Sequence, residues 1–241
     1  MSYPPVVPRA RLGFIIPSSN RMIEPQMQRW LPAGVVPHFT RIGMTNRHKK
    51  PLDQLMPRIL EAADLLSDSK CDAIVFQCTG TSMSGGVDMD RHVVSKISRV
   101  TGRPALSTAS ALAAAFKALG AKKLVFLSET AREGHDRKKK FLQDAGFEII
   151  ADKPMALAGT DVYCTTPPAF WRDAALTLEN DATDATFISC TNIHSIEVIE
   201  ELEKALQKPV VTSNQAAIWH ALRTIGILDK IQGLGRLLRD H

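Results

Sequence analysis

The chain has 241 residues and a formal net charge of +5, and 44% of its side chains are hydrophobic, 23% charged and 6% aromatic. This length can bury a core in one large domain or two small ones, and because no apolar run reaches membrane-spanning length we expect no membrane partner. Two short basic runs, 47–50 and 137–140, are interpreted as a solvated loop and a solvated helix face; no stripe of aromatic residues accompanies them, so we expect no nucleic-acid partner.

Short apolar runs alternate with longer segments of helical period along the chain. The runs predicted as strands are Leu12–Ile16, Val36–Ile42, Ala73–Gln77, Ala105–Ser107, Leu124–Leu127, Phe147–Ile150, Ala185–Ser189 and Val210–Thr212. The helical segments predicted between them include Leu52–Leu66, Ser110–Leu119, Arg132–Asp144, Ala169–Leu178, Ile193–Leu206 and Gln215–Thr224. This alternation predicts an α/β architecture, with parallel sheets and helices on both faces.

The sequence also aligns with itself when it is shifted so that Cys78 falls on Cys190. The same shift of 112 residues pairs Leu12 with Leu124. After the two cysteines the second copy has a shorter connection, and the shift becomes 105, which pairs Pro104 with Pro209. Two copies of one unit related by a pseudo-twofold axis explain this pattern. We predict a first repeat at residues 10–108, completed by C-terminal helices at 214–241, and a second repeat at 109–213.

The four cysteines do not form a CxxC pair, and the seven histidines do not form a ligand pair, so we expect no metal site. The N-terminal residues lack the pattern of a signal peptide, and we expect a cytoplasmic protein with reduced thiols. Cys71 at a strand start and Cys164 in a loop are interpreted as structural.

Cys78 and Cys190 each follow an apolar strand at equivalent positions of the two repeats. Ligands of open parallel sheets bind beyond the carboxyl ends of the strands, so the symmetry predicts one thiol on either side of a shared cleft. The polar turns after the cysteines lead to helix N-termini, which lower thiol pKa values and bind carboxylates. The alternative is that both cysteines are small buried hydrophobic residues. The candidate binding residues in these turns are Thr79, Gly80, Thr81, Thr191 and Asn192.

A third polar turn follows the first strand and contains Ser18, Ser19 and Asn20. Their hydroxyls, amide and backbone N–H groups suit a carboxylate ligand. The alternative is a turn in which serine or asparagine caps a helix. We find no glycine-rich phosphate-binding fingerprint after any strand.

Together these motifs resemble the aspartate/glutamate racemase superfamily, and within it the branch of maleate cis-trans isomerase and arylmalonate decarboxylase. The resemblance extends from about residue 11 to residue 227 and is carried by Pro17–Asn20 with Glu24, Cys78–Gly80, Ser107–Leu112, Ser189–Asn192 and Pro209–Ser213. It implies two pseudo-symmetric Rossmann-like domains with the active site at the interdomain cleft. It also implies a small carboxylic acid substrate and no metal or organic cofactor. We expect a homo-oligomer, either a dimer or a tetramer.

The resemblance implies that Cys78 is the nucleophile, that Cys190 is the acid and base, and that Asn20 holds a substrate carboxylate. An isomerase of the maleate type is the first hypothesis. A racemase or a malonate-type decarboxylase acting on a substituted acid is the second, and a non-catalytic small-molecule binder is the third.

One turn departs from the branch, which usually places a Thr-Pro-Tyr sequence after the first strand of the second repeat. Here that turn contains Ser128, Glu129 and Thr130, so the phenol is missing from this position. Thr130 stays a candidate binding residue. Glu129 would repel a dicarboxylate if its side chain pointed into the cleft.

Overall fold

The structure is a computed structural model that describes residues 7–241. Within these residues the strands are β1 (Ala10–Pro17), β2 (Val35–Ile42), β3 (Ala73–Phe76), β4 (Ala105–Ser107), β5 (Lys123–Ser128), β6 (Glu148–Pro154), β7 (Ala185–Ser189) and β8 (Val210–Thr212). The α-helices are α1 (Ile23–Trp30), α2 (Leu52–Asp68), α3 (Thr79–Met83), α4 (Gly86–Thr101), α5 (Thr108–Ala118), α6 (Arg132–Asp144), α7 (Thr160–Thr165), α8 (Pro168–Thr177), α9 (Ile199–Leu206), α10 (Ser213–Thr224) and α11 (Gly235–Asp240). Among the described residues no helix is both long and apolar enough to cross a bilayer.

The strands form two four-stranded parallel sheets of the same topology, in the orders β2-β1-β3-β4 and β6-β5-β7-β8. The predicted α/β class and the predicted strands are confirmed. The repeat extends to the pairing register, because Leu12 lies opposite Ala73 in the first sheet and Leu124 lies opposite Ala185 in the second. The domain boundaries predicted above stay a prediction.

Helices α5 and α10 join the two halves. They pack against each other, and each also contacts both sheets, α5 through β4 and β8 and α10 through β3 and β8. Both begin with a capping box, formed by Ser107 with Ser110 and by Thr212 with Gln215. Because such a box satisfies free N–H groups at the first turn, it fixes where each helix starts. One continuous apolar core therefore includes side chains from both sheets.

Two helical features differ from the sequence interpretation. The long helix α4 was not predicted, because its buried face includes polar Asp90 and Thr101 beside Val93 and Ile97. The segment predicted as one helix from residue 193 begins with a 3-10 turn at Ile196–Val198, and regular α-helix starts only at Ile199. Residues between Cys190 and that turn follow an irregular path.

Asp90 provides a test of this packing, since its carboxyl is buried and one of its oxygens has no hydrogen-bond partner among the described residues. Burial raises its pKa to about 6, against the opposing effect of a hydrogen bond with Ser107. A folded pKa above the unfolded value means that the stabilisation from protonation is complete below about pH 4 and is lost as the pH rises through about 6.

The Asp90→Asn variant cannot ionise and is therefore expected to be more stable than the parent by about 3 kcal/mol at neutral pH, with little gain near pH 4. Urea unfolding at both pH values measures this difference. An equal free energy of unfolding for the two proteins at neutral pH would show that the carboxylate is better solvated than its burial indicates.

Candidate active site

A cavity of about 800 Å³ opens between the two halves, beyond the carboxyl ends of β1, β3, β5 and β7. Both Cys78 and Cys190 line it, as the repeat predicted. The other predicted site residues that line it are Ser19, Asn20, Thr79, Gly80, Thr81, Thr130, Thr191 and Asn192. Ser18 differs, since its side chain is exposed and it is not among the lining residues. The turn after β1 points only its second serine and its asparagine toward the cavity.

Cys78 is buried directly before helix α3, and its Sγ lies 3.1 Å from Thr81 Oγ1. Burial raises the pKa of this thiol. Hydrogen bonds from the side chain and the backbone of Thr81 oppose the increase, as does the positive charge of Lys138. The site therefore contains groups that stabilise a Cys78 thiolate once it forms.

Cys190 has a backbone φ of 130°, a conformation that residues other than glycine rarely adopt. Two hydrogen bonds hold it there: its N–H donates to Ser213 Oγ at 3.1 Å, and its Sγ accepts from the N–H of Asn192 at 3.3 Å. Burial raises the pKa of Cys190 well above its ordinary value, and the negative charge of Glu129 adds to the increase. Cys190 is therefore a poor thiolate and a protonated thiol at neutral pH.

The expectation that the turns leave both thiols with lowered pKa values is wrong, although a backbone hydrogen bond in each turn does act in that direction. Desolvation is the largest cause at both cysteines, and it raises the pKa of each. The expected order of the two thiols remains, since more contacts stabilise a thiolate at Cys78 than at Cys190. Deprotonation of either thiol at neutral pH therefore requires a bound ligand or a proton acceptor.

The start of α10 connects the two cysteine turns, which the sequence interpretation did not foresee. Ser213 Oγ lies 2.8 Å from Thr79 Oγ1 and accepts from the Cys190 N–H. The neighbouring Asn214 donates to the Thr191 carbonyl at 3.0 Å and accepts from Gln77 at 2.9 Å. Since all these groups are buried, they hold the two thiols in one rigid frame.

The amide of Asn20 is fully engaged within the protein. Its Oδ1 accepts from the N–H groups of Met22 and Ile23 at 2.9 Å, where α1 begins. Its Nδ2 donates to the carbonyl and the hydroxyl of Thr191 at 3.1 and 3.2 Å. The helix-capping alternative thus describes Asn20, and binding a substrate carboxylate would require it to release Thr191.

A buried ion pair lies in the cavity wall, where Lys138 Nζ contacts the two carboxylate oxygens of Glu129 at 2.6 and 2.8 Å. The interpretation of residues 137–140 as a solvated helix face is wrong for Lys138, whose side chain is only 3% exposed. Its spacing gave a signal, since it lies three residues from both His135 and Phe141 on the buried face of α6. The Glu129 side chain does line the cavity, but its negative charge is paired with the Lys138 ammonium.

The Lys138 side chain also reaches the turn after Cys78. A Cβ placed on Gly80 would meet the Lys138 Cε at 3.9 Å, in ordinary contact. The charge of Lys138 lowers the pKa of both thiols and that of Glu129 raises both, although burial is the larger cause at each. The pair therefore acts on the reactive groups of both halves.

Three groups in line, of which Ser128 and His135 are buried and Asp152 is partly exposed, support the turn that carries Glu129. Ser128 Oγ lies 2.7 Å from His135 Nδ1, and His135 Nε2 lies 2.8 Å from Asp152 Oδ2. The set has the order of a Ser-His-Asp triad, but Ser128 is fully buried and does not line the cavity. Burial lowers the pKa of His135. We therefore interpret these residues as an anchor for the β5 turn.

Tyr163 on α7 places a phenol in the cavity that the sequence interpretation missed. Burial raises its pKa to about 12, and the charges of Glu129 and Cys190 add to the increase. Helix α7 is tethered by Asn192, which donates to the Thr160 carbonyl at 3.2 Å, and by an ion pair of Arg21 with Asp161. The cavity therefore has a phenol, but it comes from α7 and not from the turn after β5, where the resemblance places a tyrosine.

Within residues 7–241 no group of three or more His, Cys, Asp or Glu side chains could hold a metal ion. The candidate site is thus built of thiols, hydroxyls, amides, one phenol and one buried ion pair. Such groups can bind a carboxylate, add a sulfur nucleophile and transfer protons.

Comparison with known proteins supports the fold. Residues 12–238 match the family model described as arylmalonate decarboxylase. A maleate isomerase of Nocardia farcinica is 27% identical over 241 residues, covering 95% of this chain and 96% of the relative. An arylmalonate decarboxylase of Bordetella bronchiseptica is 23% identical over 235 residues with the same coverage. Among solved structures, a Nocardia farcinica maleate cis-trans isomerase, a cysteine-to-serine mutant with a covalently bound succinylcysteine intermediate, has a TM-score of 0.89 at 24% identity, covering 96% of this chain and 99% of that one.

Proposed function

The chain belongs to the arylmalonate decarboxylase family, and from this premise we propose that it is a cofactor-independent cis-trans isomerase of the maleate type that acts on a small carboxylic acid. The observation that carries the proposal is the presence of two thiols, Cys78 and Cys190, in one cavity but in unequal environments. Relatives across the full length are maleate isomerases and an arylmalonate decarboxylase, which supports an enzyme with this substrate class.

The unequal environments assign the two thiols different steps. The Cys78 sulfur bonds to one alkene carbon while the π electrons move to the neighbouring carbon, which takes a proton from the Cys190 thiol. The proton lost by Cys78 passes to Cys190, so the pair stays neutral overall. Rotation about the resulting single bond, followed by the same transfers in reverse, releases the trans acid and restores both thiols. A thiol with a high pKa suits the donor role of Cys190.

The buried ion pair supplies the charge that this chemistry needs. When sulfur adds to the alkene, negative charge develops on the adjacent carboxylate, and the ammonium of Lys138 is the buried cation in the cavity wall. In a site without bulk water, a fixed cation stabilises such charge more than it does in solution. The phenol of Tyr163 is a second donor for a substrate carboxylate.

A decarboxylase or racemase is the second candidate, favoured by the high pKa of Cys190, since a proton donor alone completes a decarboxylation. In the decarboxylase that the sequence resembles, glycine replaces the first cysteine. The presence of Cys78 in the cavity therefore favours the isomerase. A non-catalytic binder needs neither thiol.

Incubation in D₂O with maleate, with an arylmalonate and with a chiral 2-substituted carboxylic acid, each followed by NMR, separates these functions. A trans alkene product supports the isomerase. Release of carbon dioxide with a monocarboxylate product moves the chain to the decarboxylases, and deuterium at the α carbon without either change indicates a racemase. A variant Cys164→Ala, whose sulfur does not line the cavity, is the matched control and is expected to keep full activity.

The proposal includes a metal-free reaction by a cytoplasmic homodimer or homotetramer. Activity is therefore expected to survive exhaustive treatment with EDTA, as measured by initial rates before and after dialysis. Loss of activity that a divalent ion restores would contradict this part. Light scattering of the purified protein measures its oligomeric state.

A further inference from the structure

The cavity is large for the reaction proposed above. Its volume of about 800 Å³ lies in the upper part of the range of roughly 300–1,000 Å³ that is typical of sites for drug-sized ligands. A small diacid held at Cys78 and Cys190 fills only the inner end. The remaining space calls for a substrate with a longer body.

One part of the cavity lining is apolar. Met44, Leu52 and Met83 line it with side chains that are at most 4% exposed, and Met89 adds a partly buried thioether. Methionine side chains adapt to ligands of irregular shape. This wall, which we call the methionine wall, offers no partner to a charged group and suits a hydrocarbon stem.

The opening itself is positively charged. Lys49, Lys50 and Arg137, which we call the mouth cations, line the cavity yet are exposed, whereas both thiols are buried. The mouth cations come from both basic runs that the sequence analysis interpreted as solvated. Asp53 lies on the same rim and leaves it with a net positive charge.

The mouth cations converge although they belong to different halves of the chain. Arg137 holds the pKa of Glu133 low through a hydrogen bond, and the charge of Lys49 adds to this effect, so Lys49 approaches α6. Neither Lys49 nor Lys50 has a carboxylate within ion-pair distance among the described residues. The Glu133 partner of Arg137 is exposed, and such surface pairs contribute little. These cations are therefore available to a ligand.

We propose that the substrate is an elongated carboxylic acid with a second anionic group at its far end. Its reacting carboxylate lies at the thiols, its hydrocarbon stem lies along the methionine wall, and the mouth cations bind the distal anion, a carboxylate or a phosphate. The assignment of the reacting end rests on the proposed function; the distal subsite rests on the lining and charge of the cavity.

Saturated probes test the subsite without any turnover. Succinates substituted at the second carbon with an alkyl chain that ends in a carboxylate, a primary amide or a phosphate are compared by isothermal titration calorimetry. The carboxylate-ended or the phosphate-ended probe is expected to bind about tenfold more tightly than the amide at low salt. The ratio is expected to shrink at about 0.5 M salt because the mouth is exposed to solvent. The tighter of the two charged probes identifies the distal group.

A triple variant identifies the residues responsible. Lys49→Gln, Lys50→Gln and Arg137→Gln together are expected to remove the preference for a charged end and leave the affinity for the amide probe unchanged. The matched control changes three exposed lysines that do not line the cavity and is expected to keep the preference: Lys117→Gln, Lys140→Gln and Lys204→Gln.

Equal affinities of the parent protein for charged and amide ends would overturn the proposal, as would a preference that survives in the triple variant or no binding by any probe. The probes cannot isomerise, so a failure of turnover on maleate contradicts the proposed function but leaves this measurement intact. The two failures are therefore distinguishable.

Discussion

The Cys78→Ala variant is expected to lose turnover by more than about 10³-fold and to form no covalent adduct, because Cys190, the other thiol in the cavity wall, has its pKa raised well above the ordinary value and is a poor nucleophile. The Cys190→Ala variant is expected to lose turnover by about 10²–10⁴-fold, the usual contribution of a general acid or base. It retains the Cys78 nucleophile and can still trap substrate. Intact-protein mass spectrometry after incubation with substrate measures the adduct, and initial rates measure turnover.

This pair of variants also distinguishes the two leading functions. In a decarboxylation, protonation by Cys190 suffices, so Cys78→Ala would keep near-normal turnover and the nucleophile assignment would be wrong. The control Cys164→Ala changes a half-exposed thiol outside the cavity and is expected to behave as the parent does. Burial raises the pKa of both active-site thiols, so alanine in their place is not expected to remove a stabilising charge.

The Lys138→Met variant is expected to lose activity by about 10²-fold or more and stability by about 3–5 kcal/mol, since it leaves the Glu129 carboxylate buried without a partner. The double variant Lys138→Met/Glu129→Leu replaces the whole ion pair by apolar side chains. It is expected to recover most of the stability, because a buried pair contributes little net stabilisation, but to stay inactive. Urea unfolding and initial rates measure the two effects separately.

Thiol reactivity gives a readout that a purely structural role would not change. Lys138 lowers the pKa of Cys78 and Glu129 raises it. In a Cys164→Ala background, alkylation of Cys78 by iodoacetamide near pH 8 is therefore expected to slow in Lys138→Met and to speed up in Glu129→Gln, each by about tenfold. Changes in the same direction for both variants would indicate loosened packing, and the electrostatic assignment would fail.

The fold could be predicted from the sequence because parallel strands buried on both faces are continuous apolar runs. Each of the predicted strands was found, with bounds that differ by a few residues. The repeat preserved even the pairing of Leu12 with Ala73 and of Leu124 with Ala185. Strand ends of a parallel sheet meet at one edge, so the position of both thiols in one cleft also followed from sequence.

The polar half of the site could not be predicted in the same way. Whether Lys138 is solvated or buried depends on how α6 packs against the β5 turn; its spacing from His135 and Phe141 indicates the buried face of the helix but not the partner that Lys138 meets there. Tyr163 reaches the cavity only because α7 is tethered to the turn after β7. Ser18 and Ser19 are neighbours of the same type, and the local backbone alone decides which one lines the cavity.

The sequence by itself determined the α/β class, the repeat and the two thiols, since these depend on patterns along the chain: the local alternation of strand and helix, and the return of the same residues after 112 positions. The tertiary structure decided the charge state of those thiols and the charge around them. Desolvation and Coulomb interactions act through space between groups from different elements, such as Cys190 with Glu129 and Lys49 with α6. The first distance is set by packing within the second repeat, and the second exists only once the two halves have packed together.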